Sequence, residues 1–131
     1  MHTKSNVMHK VLLSLGTNTH ARFNLNRAKT FLKLTFENVQ FTAATESKPY
    51  GLSSNSPFLN TLSYFRTNMN REELVLELKN IEKKMGRLPE HKPIGKIIID
   101  IDLIKWDDEI VKPEDYKRSY IRDLLPELVD L

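Results

Sequence analysis

The run Ile97-Ile98-Ile99-Asp100-Ile101-Asp102-Leu103-Ile104 is a β-branched strand interrupted by two acids, and its reading decides both the fold and the site. Side chains alternate across a strand, so Ile97, Ile99, Ile101 and Leu103 share one face while Ile98, Asp100, Asp102 and Ile104 share the other. At a rise of ~3.3 Å per residue the acidic Cβ atoms stand roughly 6 to 7 Å apart, near enough for both carboxylates to hold one divalent ion or bridge two. Without a cation each carboxylate raises the other's pKa by like-charge repulsion, and bound Mg²⁺ would remove that cost. Asp-x-Asp is also a common short pattern, and an antiparallel sheet covered on one side places polar residues on its open face. Asp is nevertheless depleted in strands, so the pair has to be weighed against the rest of the chain.

Working outward, residues 8–15 (MHKVLLSL) read as a strand ended by the turn Gly16-Thr17-Asn18. A helix over 21–34 follows, with Phe23, Ala28, Phe31, Leu32 and Leu34 as its apolar face. Residues 36–46 and 58–67 read as the second and third strands. The polar loop between them, 47–57, is too long for a hairpin and is of the kind used for binding. The second helix has Asn70 as N-cap, Glu73 to complete a capping box, Leu74, Leu78, Ile81 and Met85 as one stripe, and Gly86 as its stop. Pro89, Pro93 and Gly95 make 87–96 a loop into the acidic strand. Asp107-Asp108 then reads as a turn, 109–111 as a short extension, and 116–131 as a tail holding one helical turn or two.

Strand, helix, strand, strand, helix, strand is the order of a ferredoxin-like βαββαβ sandwich of the α+β class, an antiparallel sheet with both helices on one face. In that topology Ile97, Ile99, Ile101 and Leu103 pack beneath the helices. Asp100 and Asp102 look out from the open face, where the long polar loop and the basic loop can close over them.

The 131 residues make one domain, long enough to bury a core without staples, with residues 1–7 expected to be disordered. With no cysteine, neither a disulfide framework nor a thiolate metal site is possible. No run approaches the ~18 apolar residues of a membrane span, and the N-terminus lacks the apolar stretch of a secretory signal. The expected setting is therefore cytoplasmic, with no membrane partner. Net charge is +3, from 20 basic and 17 acidic residues, too mild an excess to indicate nucleic acid. Its distribution says more, because Lys79, Lys83, Lys84, Arg87, Lys92 and Lys96 stand just before the acidic strand. That suits a phosphorylated ligand carrying its own metal, although a solvated helix face produces such a run more often.

Short signatures recur in order along the chain: Leu13-Ser14-Leu15-Gly16-Thr17-Asn18, Glu46-Ser47-Lys48-Pro49-Tyr50-Gly51, Pro57-Phe58-Leu59-Asn60, Ile81-Glu82 with Gly86-Arg87, and Asp100-Ile101-Asp102-Leu103. Each is weak alone. In register they resemble the 6-hydroxymethyl-7,8-dihydropterin pyrophosphokinase family, with its Gly-Ser-Asn turn, Glu-Thr-x-Pro-x-Gly segment, aromatic-Leu-Asn motif, Ile-Glu and Gly-Arg pair, and acidic strand. The likeness covers nearly the whole chain.

The resemblance implies the ferredoxin-like fold and transfer of pyrophosphate from ATP to the pterin hydroxymethyl group, releasing AMP, in folate biosynthesis. It implies two Mg²⁺ ions on Asp100 and Asp102, bridging the ATP phosphates, with Arg87 and Lys96 as cations of the transfer. Asn60 would hydrogen-bond the pterin, Phe58 would stack on it, and Tyr120, which follows Arg118 as an aromatic does in the family, would be the second stacking ring. Backbone groups of Ser47, Lys48 and Tyr50 would line the pterin pocket. Glu82, Arg87, Lys96, Leu103 and Arg118 would serve the ATP side, with Leu103 near the adenine. The implied partners are the small molecules pterin and ATP, with no nucleic acid and no obligate protein partner.

By residue type alone, Asn60 reads as a strand-end polar group, and Phe58 and Tyr120 as core packing. Glu82 reads equally as a solvated acid pairing with Lys79 or Lys83. The chain also departs from the family pattern. Pro89 stands where the family has a second arginine, Ile94-Gly95-Lys96-Ile97 where it has Trp-Gly-Pro-Arg, and Glu114-Asp115-Tyr116 in place of a longer histidine-bearing segment. Lys96 falls one position early, and a point charge does not copy a bidentate fork. The alternative is therefore a catalytically impaired or inactive homologue that binds a pterin or nucleotide without turnover. An RNA-binding module is disfavoured, because the exposed strand carries acids rather than stacking aromatics.

Overall fold

The computed structural model describes residues 7–48 and 56–129. Of residues 1–7, expected to be disordered, all but Val7 lie outside the described residues, as does Tyr50 with the pterin-pocket role given to it. The strands are β1 (His9–Thr17), β2 (Gln40–Phe41), β3 (Thr45–Ser47), β4 (Phe58–Thr67), β5 (Asp100–Trp106) and β6 (Glu109–Ile110). The helices are α1 (Ala21–Thr35), α2 (Arg71–Lys84), α3 (Pro113–Tyr116) and α4 (Ser119–Leu124). The sheet runs β2-β4-β1-β5-β6, with β3 also on β4, and every ladder is antiparallel. This is the ferredoxin-like arrangement, with β1 at its centre.

Asn70 caps α2 as its sequence predicts: the Glu73 amide donates to Asn70 Oδ1 at 2.9 Å and the Asn70 amide to Glu73 Oε1 at 3.1 Å. The stripe Leu74, Leu78, Ile81 and Met85 is buried. It packs with Leu25, Ala28 and Leu32 of α1 on Val11, Leu13, Leu15, Ile99, Ile101 and Leu103 of the sheet. The apolar face of α1 is narrower than expected, since Phe23 is 65 % exposed and Leu34 80 %. At ~100° per residue Leu25, Ala28 and Leu32 form one stripe, and Phe23 and Leu34 fall on the opposite side.

Three expectations need correction. The strand placed at 36–46 is two short pieces, because Asn38 turns through a left-handed conformation and Thr42 breaks the ladder. The Leu62 amide donates to the Thr42 hydroxyl at 2.9 Å instead of to a backbone carbonyl. The acidic strand begins at Asp100, not at 97, because the residues before it are taken by Asn18. The Asn18 side-chain Nδ2 donates to the Gly95 carbonyl at 2.7 Å, and its Oδ1 accepts from the Ile97 amide at 2.8 Å. Gly16 and Thr17, read as turn, accordingly continue β1.

The third correction concerns the open face. Tyr120, Ile121, Leu124 and Leu128 pack on Leu12, Leu62, Tyr64 and Ile104, so the tail forms α3, α4 and a closing 3₁₀ turn over a second, smaller core. Ile104 reaches this core at a β-bulge, where Leu12 pairs with Lys105 but Leu13 with Leu103. Among the described residues, the end of the sheet around Gly16, Asp100 and Asp102 stays uncovered. Among the described residues no helix is long and apolar enough to cross a membrane.

Candidate active site

Register on the central strand brings the site together. Gly16 pairs with Asn60 of β4 on one side and Asp100 of β5 on the other, and Ser14 pairs likewise with Leu62 and Asp102. At ~4.8 Å between strands, Asn60 and Asp100 stand roughly two strand spacings apart with no side chain between them. A Cβ added to Gly16 would lie 3.0 Å from Asn60 Oδ1 and 3.3 Å from the Phe58 ring. The missing side chain is thus the floor of a cavity of about 820 Å³, of a size that holds a small-molecule ligand.

At the acidic end, Arg87 joins α2 to β5. Its Nη1 donates to Glu82 Oε2 at 2.8 Å, to Asp100 Oδ1 at 2.9 Å and to the Ile99 carbonyl at 3.3 Å. Glu82 Oε2 also accepts from the Ile101 amide at 2.7 Å. Glu82 is therefore not the solvated partner of Lys79 or Lys83; it fixes both the strand and the arginine. Burial pushes its carboxyl above the ordinary range, against the pull of the Ile101 amide and Arg87. Asp100 is raised too, first by burial and then by the Asp102 charge, with Arg87 opposing.

Asp102 meets a residue that the sequence did not single out. Lys112 Nζ donates to Asp102 Oδ1 at 2.8 Å. Burial works against the ammonium, but the contact with Asp102 outweighs it and raises the Lys112 pKa. The available signal was hairpin register: a turn at Asp107-Asp108 sets Lys105 opposite Ile110 and so returns Lys112 beside the acids.

Among the described residues no cluster of three or more His, Cys, Asp or Glu is poised around an ion. The pair instead offers carboxylates on one face of one strand, with mutual repulsion that a cation relieves. Such a donor set fits Mg²⁺, which keeps waters and takes its other ligands from phosphate oxygens.

At the other end, Asn60 is buried, and its Nδ2 donates to Ser47 Oγ at 2.7 Å and to the Thr45 carbonyl at 3.2 Å. Its Oδ1 points toward Gly16. Phe58, Ser47 and Lys48 line this end of the cavity, and Tyr120 closes it with its hydroxyl 3.3 Å from Ser14 Oγ. Tyr120 is thus both core, as its residue type suggests, and cavity wall.

Leu103 lines the cavity from the main core, and Arg118 lines it while paired with Asp115 at 3.0 Å. Lys96 is half-buried and is not a lining residue; Lys79, Lys83 and Lys92 of the same basic run are. Pro89 and Ile97 line it as well, without charge.

The sequence matches the family model of 7,8-dihydro-6-hydroxymethylpterin-pyrophosphokinase over residues 12–130. It is 32% identical over 106 residues to a 2-amino-4-hydroxy-6-hydroxymethyldihydropteridine pyrophosphokinase of Aquifex aeolicus, covering 80% of this chain and 66% of that protein. It is also 32% identical over 119 residues to a folate synthesis bifunctional protein of Chlamydia caviae, covering 86% of this chain and 27% of that one. The chain thus spans less than two thirds of the length of either relative.

Proposed function

The chain belongs to the 7,8-dihydro-6-hydroxymethylpterin-pyrophosphokinase family, and from that membership we propose that it transfers pyrophosphate from ATP to 6-hydroxymethyl-7,8-dihydropterin in folate biosynthesis. The pterin hydroxymethyl oxygen attacks the β-phosphorus of ATP, the bond from that phosphorus to the α,β-bridging oxygen breaks, and AMP leaves. The hydroxyl proton is lost to solvent. The observation that carries this reading is the row Asn60, Gly16, Asp100 across β4, β1 and β5, which sets an amide beside an aromatic at one end of a cavity and paired carboxylates at the other.

In this reading the pterin lies over Gly16, with Asn60 Oδ1 accepting from its ring N–H groups and Phe58 and Tyr120 against its faces. Such ring contacts are worth about 1 kcal/mol beyond area burial. Ser47 and Lys48 complete that end, and the family resemblance assigns Tyr50 to the pterin as well. Asp100 and Asp102 would hold Mg²⁺, two ions by the family resemblance, which would supply positive charge against that on the transferred group. Arg87, kept in place by Glu82, offers its remaining N–H groups to phosphate, and Arg118 and Lys92 approach from the cavity wall. Leu103 supports the adenine, and Lys96 reaches the triphosphate if the basic loop closes. Transfer of this kind needs in-line positioning and cations more than covalent chemistry. The partners are then the two small molecules, and the setting is the cytoplasm, where ATP is available.

Mass spectrometry of the protein incubated with Mg-ATP and the dihydropterin tests this directly. A pterin carrying a diphosphate, with AMP in equal amount, is expected. ADP with a pterin monophosphate, or no modified pterin at all, would contradict it.

A further inference from the structure

The two carboxylates of β5 are capped by cations of different kinds. Asp100 faces Arg87, whose guanidinium is also tied to Glu82 and the Ile99 carbonyl. Asp102 faces Lys112, a single ammonium on a flexible stem, 44 % exposed at the cavity rim. The base of that stem is fixed: the Val111 and Lys112 amides both donate to the Ile104 carbonyl, at 2.8 and 3.4 Å, and Pro113 follows at the start of α3.

We propose that Lys112 is a resident counter-ion that a divalent metal displaces from Asp102, and that the freed ammonium then binds the triphosphate. This rests on the reading of the cavity as a metal-nucleotide site. A divalent ion bonded directly to carboxylate oxygen outcompetes a monovalent ammonium hydrogen-bonded to it, and the two cations repel at such short range. Lys112 must therefore leave Asp102 when the metal arrives. Held at its base, it can only sweep the cavity rim, where the anionic phosphates are its fitting partner. Metal arriving alone expels the lysine toward Asp115, which is already paired with Arg118; metal arriving with nucleotide supplies a phosphate partner. The lysine thereby couples the two ligands and adds a phosphate contact to a site whose Pro89 and Ile97 carry no charge.

The coupling has an unusual signature, which binding experiments on the full chain can read without turnover. Mn²⁺ is titrated by its electron paramagnetic resonance signal, alone and with α,β-methylene-ATP, against the unmodified protein, Lys112→Met and Lys112→Gln. Both variants should bind Mn²⁺ alone about tenfold more tightly, because the competing charge is gone, and the enhancement of Mn²⁺ affinity by the nucleotide should fall by about 10- to 100-fold, because the charge-assisted phosphate contact is lost. Lys112→Arg should keep most of the nucleotide affinity. Using Met and Gln guards against one variant's misfolding, which circular dichroism would reveal. Mn²⁺ affinity unchanged or weakened in the variants, or an unchanged enhancement of it by the nucleotide, overturns the counter-ion role while leaving the site intact. No metal-dependent nucleotide binding by the unmodified protein overturns the reading of the site and this inference with it.

Discussion

Gly16 and Asn60 face each other across the β1–β4 ladder so closely that a methyl group on Gly16 would stand 3.0 Å from Asn60 Oδ1. Gly16→Ala should therefore displace Asn60 and the Phe58 ring while sparing the far end of the cavity. Pterin affinity, followed by pterin fluorescence, is expected to fall by about tenfold or more, the loss of roughly one well-placed hydrogen bond. Nucleotide affinity should change little. Equal losses for both ligands would place Gly16 in a general structural role.

Glu82 ties together α2, β5 and Arg87 through one buried oxygen. Glu82→Gln keeps an acceptor for the Ile101 amide but removes the charge opposite Arg87. Urea denaturation should show a loss of about 1 to 3 kcal/mol. Nucleotide binding should weaken too, as Arg87 loses its fixed direction. Unaltered stability would mean that the arginine does not depend on this acid.

The raised carboxyls of Glu82 and Asp100 give the metal-free protein a pH dependence of definite sign. Their folded-state pKa values lie above the unfolded ones, so the folded protein binds more protons in between. Their contribution to stability is full below the unfolded pKa and is lost as pH rises through the folded pKa. Asp107 runs the other way: although burial opposes it, hydrogen bonds from His9 and the Lys10 amide hold it below its ordinary range. Differences between the unmodified protein and Glu82→Gln or Asp100→Asn isolate the site. In chelator, thermal unfolding should show the unmodified protein losing more stability than either variant as pH rises above the usual carboxylate range. Parallel profiles would contradict the assignment.

Ile121 is fully buried in the second core, next to Tyr120. Ile121→Ala should cost about 2 to 5 kcal/mol by chemical denaturation. Because α4 also carries Tyr120, the pterin end should loosen before the acidic end does. A loss under 1 kcal/mol would mean that the tail packs only loosely on the sheet.

The sequence made the helix-side core legible, because Leu74, Leu78, Ile81 and Met85 repeat at helical spacing and Asn70 with Glu73 states where α2 starts. That Asp100 and Asp102 share a face was legible from strand alternation, and which face followed from the βαββαβ order. The tail was underread: Tyr120, Ile121, Leu124 and Leu128 are a stripe too, but α4 is so short that a turn or two was all its pattern required. The break at Thr42 was hidden because a β-branched residue favours a strand, whereas side-chain bonds, from the Leu62 amide to its hydroxyl and from the Thr61 hydroxyl to its carbonyl, interrupt the ladder. Lys112 was missed because its contact depends on the hairpin register, which no single residue announces.

The carboxylate pair Asp100 and Asp102 is the centre of the site. The most direct measurement is calorimetric titration of ATP, with and without Mg²⁺, into the unmodified protein, Asp100→Ala and Asp102→Ala. Mg²⁺-dependent binding by the unmodified protein, abolished in both variants while circular dichroism shows the fold intact, is the predicted result. Unchanged nucleotide affinity in both variants would contradict the metal assignment and the site built on it.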